Sequence, residues 1–117
     1  GIAPVEKYLN KGILPALGTD SLTSNPELSL WREMRLLAED HPAVKPRDIL
    51  RMATLGGAEA LGLDRKLGSL EAGKAAALLA VDVTGLEGNI SSVADVANVE
   101  EHLVHQQIKQ RSVYSLA

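Results

Sequence analysis

Residues 13–21 read Ile-Leu-Pro-Ala-Leu-Gly-Thr-Asp-Ser, a short apolar run that ends at a glycine and leads directly into a carboxylate. The run 13–17 is too short for a helix and predicts a buried strand, although Pro15 cannot donate a hydrogen bond to a sheet. Parallel α/β folds carry reactive groups at the carboxyl ends of such strands. Asp20 is therefore a candidate reactive carboxylate. The alternative is that Asp20 or Ser21 only caps a turn or a helix.

A short helix is predicted before this stretch and a longer one after it. Residues 4–10 begin with proline and have apolar side chains at helical spacing. The longer helix is expected to begin with Asn25 as N-cap and Pro26 at the first helical position, and to extend to about Asp40. Its apolar face is formed by Leu30, Trp31, Met34, Leu37 and Ala38.

A third helical segment is predicted from Pro46, at its first turn, through Thr54. Gly56-Gly57 is expected to interrupt it. The helical pattern returns at residues 58–61, and Gly62 gives the C-terminal stop.

The second half of the chain has a different pattern. Glycines bracket a predicted turn at 68–74, and the almost continuous apolar run 77–83 predicts a strand buried on both faces. Residues 89–98 are polar and predict a surface connection. The segment 99–107 fits either a helix or a strand, and 112–116 predicts a final strand.

Composition fits one domain and excludes several classes of protein. The chain has 117 residues, 45% of them hydrophobic and only 3% aromatic, so the core must be largely aliphatic. The net charge of -3 without a basic stripe argues against nucleic acid as a partner. The sequence has no cysteine, no signal-peptide pattern and no apolar run of about 20 residues, so we expect a cytoplasmic protein with no membrane partner.

Four motifs, in order along residues 1–83, resemble the amidohydrolase superfamily, in the branch of adenosine-derivative and guanine deaminases and triazine chlorohydrolases. The motifs are Gly1-Ile2-Ala3-Pro4-Val5, Leu17-Gly18-Thr19-Asp20-Ser21 with Ser24-Asn25, Met52-Ala53-Thr54 with Gly57-Ala58-Glu59-Ala60-Leu61-Gly62, and Gly68-Ser69-Leu70-Glu71-Ala72-Gly73-Lys74.

This resemblance implies an α/β fold in two parts. Residues 1–65 would be the last strand and C-terminal helices of a metal-dependent hydrolase TIM barrel. Residues 66–117 would be strands of a small β-sandwich domain. A closed eight-stranded barrel needs about 250 residues, so the barrel would be incomplete. The start at Gly1 instead of Met fits an excised or processed piece of a longer protein.

The resemblance also implies hydrolytic deamination of a purine-like or nucleoside-derived small molecule. Asp20 would be both a ligand of a divalent metal, zinc or iron, and the catalytic group that moves a proton. Ser21, Thr23 and Asn25 would bind the substrate and shape the loop beside it. The histidine ligands of the family cannot be placed in this sequence, so we expect the isolated chain to bind no metal and to be inactive.

One further departure from the family and the three histidines of the chain need separate interpretation. The family has an acid after Lys-x-Ala, whereas Ala77 stands there in this chain. His102 and His105 could share a helical face, but no third metal ligand accompanies them, and solvated side chains are the simpler interpretation. His41 is interpreted as a C-terminal cap and Trp31 as a core residue.

Two other functions stay open. The chain could be a stand-alone, non-catalytic interaction module, or part of a hydrolase that opens cyclic amides. A barrel segment without its neighbouring strands would expose apolar surface, so we also expect the chain to self-associate.

Overall fold

The computed structural model describes residues 2–77, 79, 81, 100 and 104. Within residues 2–77 the regular elements are four helices, and α2 packs on α3, which packs on α4. None of the described helices is long and apolar enough to cross a membrane. The helices are α1 (Val5–Leu9), α2 (Leu30–Asp40), α3 (Pro46–Ala53) and α4 (Leu55–Ala60).

The apolar run 13–17 does not form the predicted strand. It carries no regular secondary structure, and Ile13 is 52% exposed, while Leu14 and Leu17 pack partly buried against the helical core. The N–H of Leu17 donates to the carbonyl of Met52 in α3, at 3.1 Å, instead of to a neighbouring strand. A strand needs a partner for its backbone groups, and this segment finds its partner in a helix.

The long helix ends where it was predicted to end but begins later. Its C-terminal end at Asp40 is confirmed. Its N-cap is Ser29, whose hydroxyl accepts from the N–H of Arg32 at 3.4 Å, so the prediction that Asn25 is the N-cap is wrong. The predicted apolar face is largely confirmed: Met34 and Ala38 are buried, Trp31 and Leu37 pack against the core, and Leu30 is 39% exposed.

The break between the third and fourth helices falls at Thr54, and the predicted break at Gly56-Gly57 is wrong. Both glycines lie inside α4. Gly56 is buried, and a Cβ there would lie 3.2 Å from the carbonyl oxygen of Pro15, so close packing explains this glycine. The stop at Gly62 is confirmed, with φ of 67° in the left-handed region.

One apolar cluster forms the core, and it includes a residue from the second half of the chain. Val104 is fully buried and helical, and helical Glu100 lies 3.5 Å from Arg47 of α3, measured between carboxylate and guanidinium. For the segment 99–107 this favours the helical alternative at the two described positions. The cluster consists of Val5, Met34, Ala38, Val44, Ile49, Met52 and Val104.

The predicted turn at 68–74 is confirmed. Gly68 and Gly73 both have φ of 91°, and the N–H of Ala75 donates to the carbonyl of Lys66 at 2.9 Å, which closes the reversal. Gly68 also packs on α4, since a Cβ at this position would lie 2.7 Å from the Cβ of Ala58. The predicted connection at 89–98 and the final strand lie outside the described residues, as does most of the predicted strand 77–83.

Candidate functional site

The loop between residue 17 and α2 holds Asp20 in an unusual backbone conformation. Its φ is 57°, in the left-handed region that most L-residues avoid and that Asp and Asn tolerate best. The hydroxyl of Thr19 donates to the carbonyl of Asp20 at 3.3 Å. The left-handed backbone conformation of this loop therefore falls on Asp20, the residue that the sequence predicts to be catalytic.

The carboxylate of Asp20 is exposed and receives two hydrogen bonds from its own loop. The Ser24 hydroxyl donates to Oδ2 and the Ser21 N–H donates to Oδ1, each at 2.8 Å. These bonds, with that of Ser24 the stronger influence, hold the pKa of Asp20 below its ordinary value. Asp20 is thus a carboxylate at neutral pH. Sequence reasoning included Ser24 in a motif but gave it no role, and its spacing of four residues from Asp20 was the available signal.

Asn25 lies behind this loop and is buried, with 8% of its surface exposed. Its Nδ2 donates to the carbonyl of Thr19 at 3.0 Å and to Oε1 of Glu33 at 2.6 Å. Its Oδ1 accepts from Nη1 of Arg32 at 2.8 Å and from the N–H of Glu27 at 3.2 Å. We call Asn25 with these four partners the Asn25 clamp. It fastens the loop to the first turn of α2.

The structure separates the predicted site residues into two groups. Asp20, Ser21 and Thr23 are exposed on one loop, whereas Asn25 is buried beneath it. Of the three, Asp20 and Ser21 are in direct contact, and Thr23 makes none of the described hydrogen bonds to the Asp20 carboxylate. Direct substrate binding by Ser21, Thr23 and Asn25 stays a prediction.

Asp20 fits a role as one metal ligand among several. Each carboxylate oxygen accepts one hydrogen bond among the described residues, which leaves lone pairs for a cation. The residues at 2–77 and the four other described positions contain no group of three His, Cys, Asp or Glu that could hold a metal ion. The remaining ligands would have to come from elsewhere.

His41 is the C-cap residue of α2, as predicted, but it caps the helix through its backbone and not through its ring. His41 is buried, and its Nδ1 lies 2.8 Å from Oε1 of Glu6 in α1. Its backbone N–H, not its imidazole, donates to the carbonyl of Leu37. The hydrogen bond from His41 is the largest cause that lowers the pKa of Glu6. His102 and His105 lie outside the described residues.

A second polar cluster lies in the turn at 68–74, beside a shallow cavity of about 270 Å³. Lys74 is largely buried, its Nζ donates to the Ser69 hydroxyl and it lies 3.1 Å from Oε1 of Glu71. The hydrogen bond from Ser69 and then the contact with Lys74 lower the pKa of Glu71. Lys74 thus has an acidic partner, Glu71, within the turn itself.

Comparison with known proteins gives one consistent family. The 5-methylthioadenosine/S-adenosylhomocysteine deaminase of Syntrophobacter fumaroxidans is 46% identical over 70% of this chain and 20% of its own length. The enzymes of the same name from Moorella thermoacetica and Teredinibacter turnerae are 38% and 35% identical over 92% and 95% of the chain, and 29% and 26% of their own lengths.

The chain thus spans less than a third of these relatives, and the match is to their family as well as to them. Residues 1–108 match the sequence profile of the amidohydrolase family, which covers both the Asp20 loop and the turn at 68–74. The resemblance inferred from four short motifs is thereby confirmed, and the chain belongs to the amidohydrolase family.

Proposed function

We propose that this chain is the C-terminal part of a longer amidohydrolase that removes an amine from a nucleoside-derived substrate by hydrolysis. The relatives are named as deaminases of 5-methylthioadenosine and S-adenosylhomocysteine, which supports a substrate of this class. The observation that carries the proposal is the Asp20 carboxylate, exposed, ionised and fixed by two hydrogen bonds in a family-matching loop.

Asp20 would act in two ways in the complete protein. Members of this family generally bind a divalent metal, and a zinc or iron ion would be held by Asp20 together with ligands from outside this chain. When bound, such a cation makes a water molecule more acidic. The Asp20 carboxylate takes the proton from the attacking water and returns it to the leaving amine, which departs as ammonia.

The exposed hydroxyl groups of the same loop would contact the substrate. Ser21 and Thr23 are exposed on the same loop as Asp20, and Asn25 holds that loop against α2. We propose the division predicted from the sequence, with residues 1–65 in the barrel and 66–117 in the small β-domain. A cytoplasmic location and self-association of the isolated chain remain predictions.

The test compares ammonia release by the full-length protein and by the 117-residue chain, with metal content measured for both. The substrates are 5-methylthioadenosine, S-adenosylhomocysteine and guanine. Asp20→Asn is the first variant, because Asn tolerates positive φ and has nearly the same shape, while the charge and one acceptor oxygen are removed. We expect the full-length protein to be active and to contain metal, and Asp20→Asn to lower kcat at least about 100-fold.

Other outcomes point to other functions. A full-length protein without metal and without activity favours the stand-alone interaction module. Hydrolysis of a cyclic amide such as dihydroorotate, without ammonia release from the nucleosides, favours the cyclic-amide alternative. Asp20→Asn with unchanged kcat removes Asp20 from the mechanism.

A further inference from the structure

The Asn25 clamp places a buried amide at the base of the Asp20 loop. Burying a polar amide is favourable only when its hydrogen bonds are made, because water no longer satisfies its donors and acceptors. Both N–H groups of the Asn25 side chain are used, and its oxygen accepts twice. An amide with all these positions filled is suited to holding a structure, since it has no free donor to offer a ligand.

The clamp reaches Asp20 through one carbonyl. The Thr19 carbonyl that accepts from Asn25 belongs to the peptide bond that joins Thr19 to Asp20. Because that peptide is planar, the hydrogen bond at 3.0 Å fixes the plane from which the φ rotation of Asp20 is measured. Asn25 therefore fixes the peptide plane that precedes Asp20, the residue with the unusual φ of 57°.

The other side of the clamp is anchored on a helix. Arg32 and Glu33 lie in the first turn of α2, and their side chains also lie 3.5 Å from each other, guanidinium to carboxylate. The side chains of both are only partly exposed, at 31% and 18%. A single amide thus connects the peptide before Asp20 to a helix that packs in the core.

We propose that Asn25 is a positioning residue, which holds the Asp20 carboxylate in its orientation by fixing the Thr19 carbonyl against α2. The catalytic consequence of this role rests on the proposed function, whereas the positioning itself does not. The substrate meets the exposed face of the loop, and Asn25 acts from the buried side.

The test first removes both hydrogen bonds that Asn25 donates in the full-length protein and then restores one of them. Asn25→Asp keeps the shape but removes both donors, and it places an oxygen against the Thr19 carbonyl and the Glu33 carboxylate. Adding Glu33→Gln supplies an amide that can donate to the new carboxylate at position 25, which restores the connection to α2 but not the bond to Thr19. Glu33→Gln alone is the matched control, because the glutamine side chain still has an oxygen that accepts from Asn25.

Three readouts separate positioning from general stability: the urea midpoint, the hydrogen-exchange rate of the Ser21 N–H in the metal-free protein, and kcat with KM. We expect the double variant to recover most of the urea midpoint lost in Asn25→Asp. Its Ser21 N–H, which bonds Oδ1 of Asp20, should still exchange at least about 10-fold faster than in the wild type. We expect the kcat of the double variant to be about 10- to 100-fold lower than that of the wild type, with KM changed less than about threefold.

If all three readouts of the double variant return to wild-type values, Asn25 contributes to stability only, and the proposal is overturned. Wild-type exchange at Ser21 in Asn25→Asp would overturn it as well. If the charged variants do not fold, Asn25→Ala gives the same three readouts without a buried charge. A wild type that folds but has no deaminase activity contradicts the proposed function, and Ser21 exchange still decides whether the clamp positions Asp20.

Discussion

The hydroxyl of Ser24 has one proton and two acceptors within reach. It lies 2.8 Å from Oδ2 of Asp20 and 3.1 Å from the carbonyl of Ser21. The shorter contact is to the charged oxygen, where a hydrogen bond is stronger. The orientation of Ser24 thus depends on Asp20 being ionised, and Ser24 in turn favours the ionised form.

Replacing Ser24 should raise the pKa of Asp20. In Ser24→Ala the carboxylate loses the hydrogen bond that lowers its pKa most, so the value should move up toward the ordinary one. The carboxyl carbon shift of Asp20, followed by NMR as pH is varied in the metal-free chain, measures this. Thr23→Ala is the control, since it removes a hydroxyl from the same loop without touching the bonds to Asp20. Equal titration curves for Ser24→Ala and wild type would contradict the prediction.

Sequence alone could select Asp20 but not the contacts around it. Asp20 stands in a short motif, and a motif is visible without a structure. Asn25 carried the pattern of a helix cap, with proline directly after it, yet its amide bonds Thr19 and Glu33 instead. The partners of Asn25 lie six and eight residues away in the chain, so these bonds depend on how the loop folds back. The helix-capping propensity of a residue does not encode such contacts.

Gly56 lets α4 approach a neighbouring backbone segment closely. Gly56 faces residues 14 and 15, and its nearest neighbours there and at the carbonyl of Arg51 are all 3.2 Å from where a Cβ would stand. From the sequence, two adjacent glycines indicated a break, because glycine costs about 1 kcal/mol inside a helix. Close packing of Gly56 outweighs that cost here, and the helical pattern of the sequence does not show such packing.

Gly56→Ala and Gly57→Ala should have opposite effects on stability. The first forces a methyl group between two carbonyl oxygens and Leu14, and we expect a loss of about 1–3 kcal/mol from overpacking. The second meets its nearest atom only at 3.9 Å and should gain about 0.5–1 kcal/mol from lower unfolded-state entropy. Urea denaturation of the two variants of the chain gives both values. Similar changes in the two variants would contradict the packing that we describe.

The first helix is tied to the end of the second by the pair of Glu6 and His41, which lie 35 residues apart. Val5 enters the core next to this pair, and Met34 and Ala38 enter it from α2. The hydrogen bond of 2.8 Å therefore links α1 to the C-cap residue of α2.

The Glu6–His41 pair should make stability depend on pH on the acidic side. The pKa of Glu6 is lowered from 4.5 in the folded chain, so its contribution is present above that value and is lost as pH falls through the lower folded pKa. Glu6→Gln should thus be less stable than wild type near neutral pH, and the difference should shrink below about pH 4. Urea midpoints over this range measure it.

The control for this experiment is a second background. In His41→Leu the largest cause of the lowered pKa of Glu6 is gone, so Glu6→Gln should then change stability much less. An undiminished, pH-dependent difference in that background would assign the effect to another partner of Glu6.

Family membership could be predicted from the sequence, whereas the barrel strand predicted at 13–17 does not form. Four motifs in order were enough for the family, although one of them lies mostly in α3 and α4 and not in a loop. The run 13–17 had the pattern of a barrel strand, but a strand forms against neighbours, and here its backbone bonds α3. The described residues do not include a group of three possible metal ligands, so the metal role of Asp20 stays a prediction.

Gly68 has a consequence for how this region can evolve. Its φ of 91° excludes most side chains, and an added Cβ would meet Ala58 at 2.7 Å and Leu55 at 2.9 Å. A mutation at position 68 would therefore need a smaller residue at position 58, where only glycine is smaller than alanine, and a displaced backbone at 55. Few second mutations could therefore compensate for a substitution of Gly68. We therefore expect substitutions at positions near Gly68 and Ala58, whereas these two residues should change together or stay unchanged.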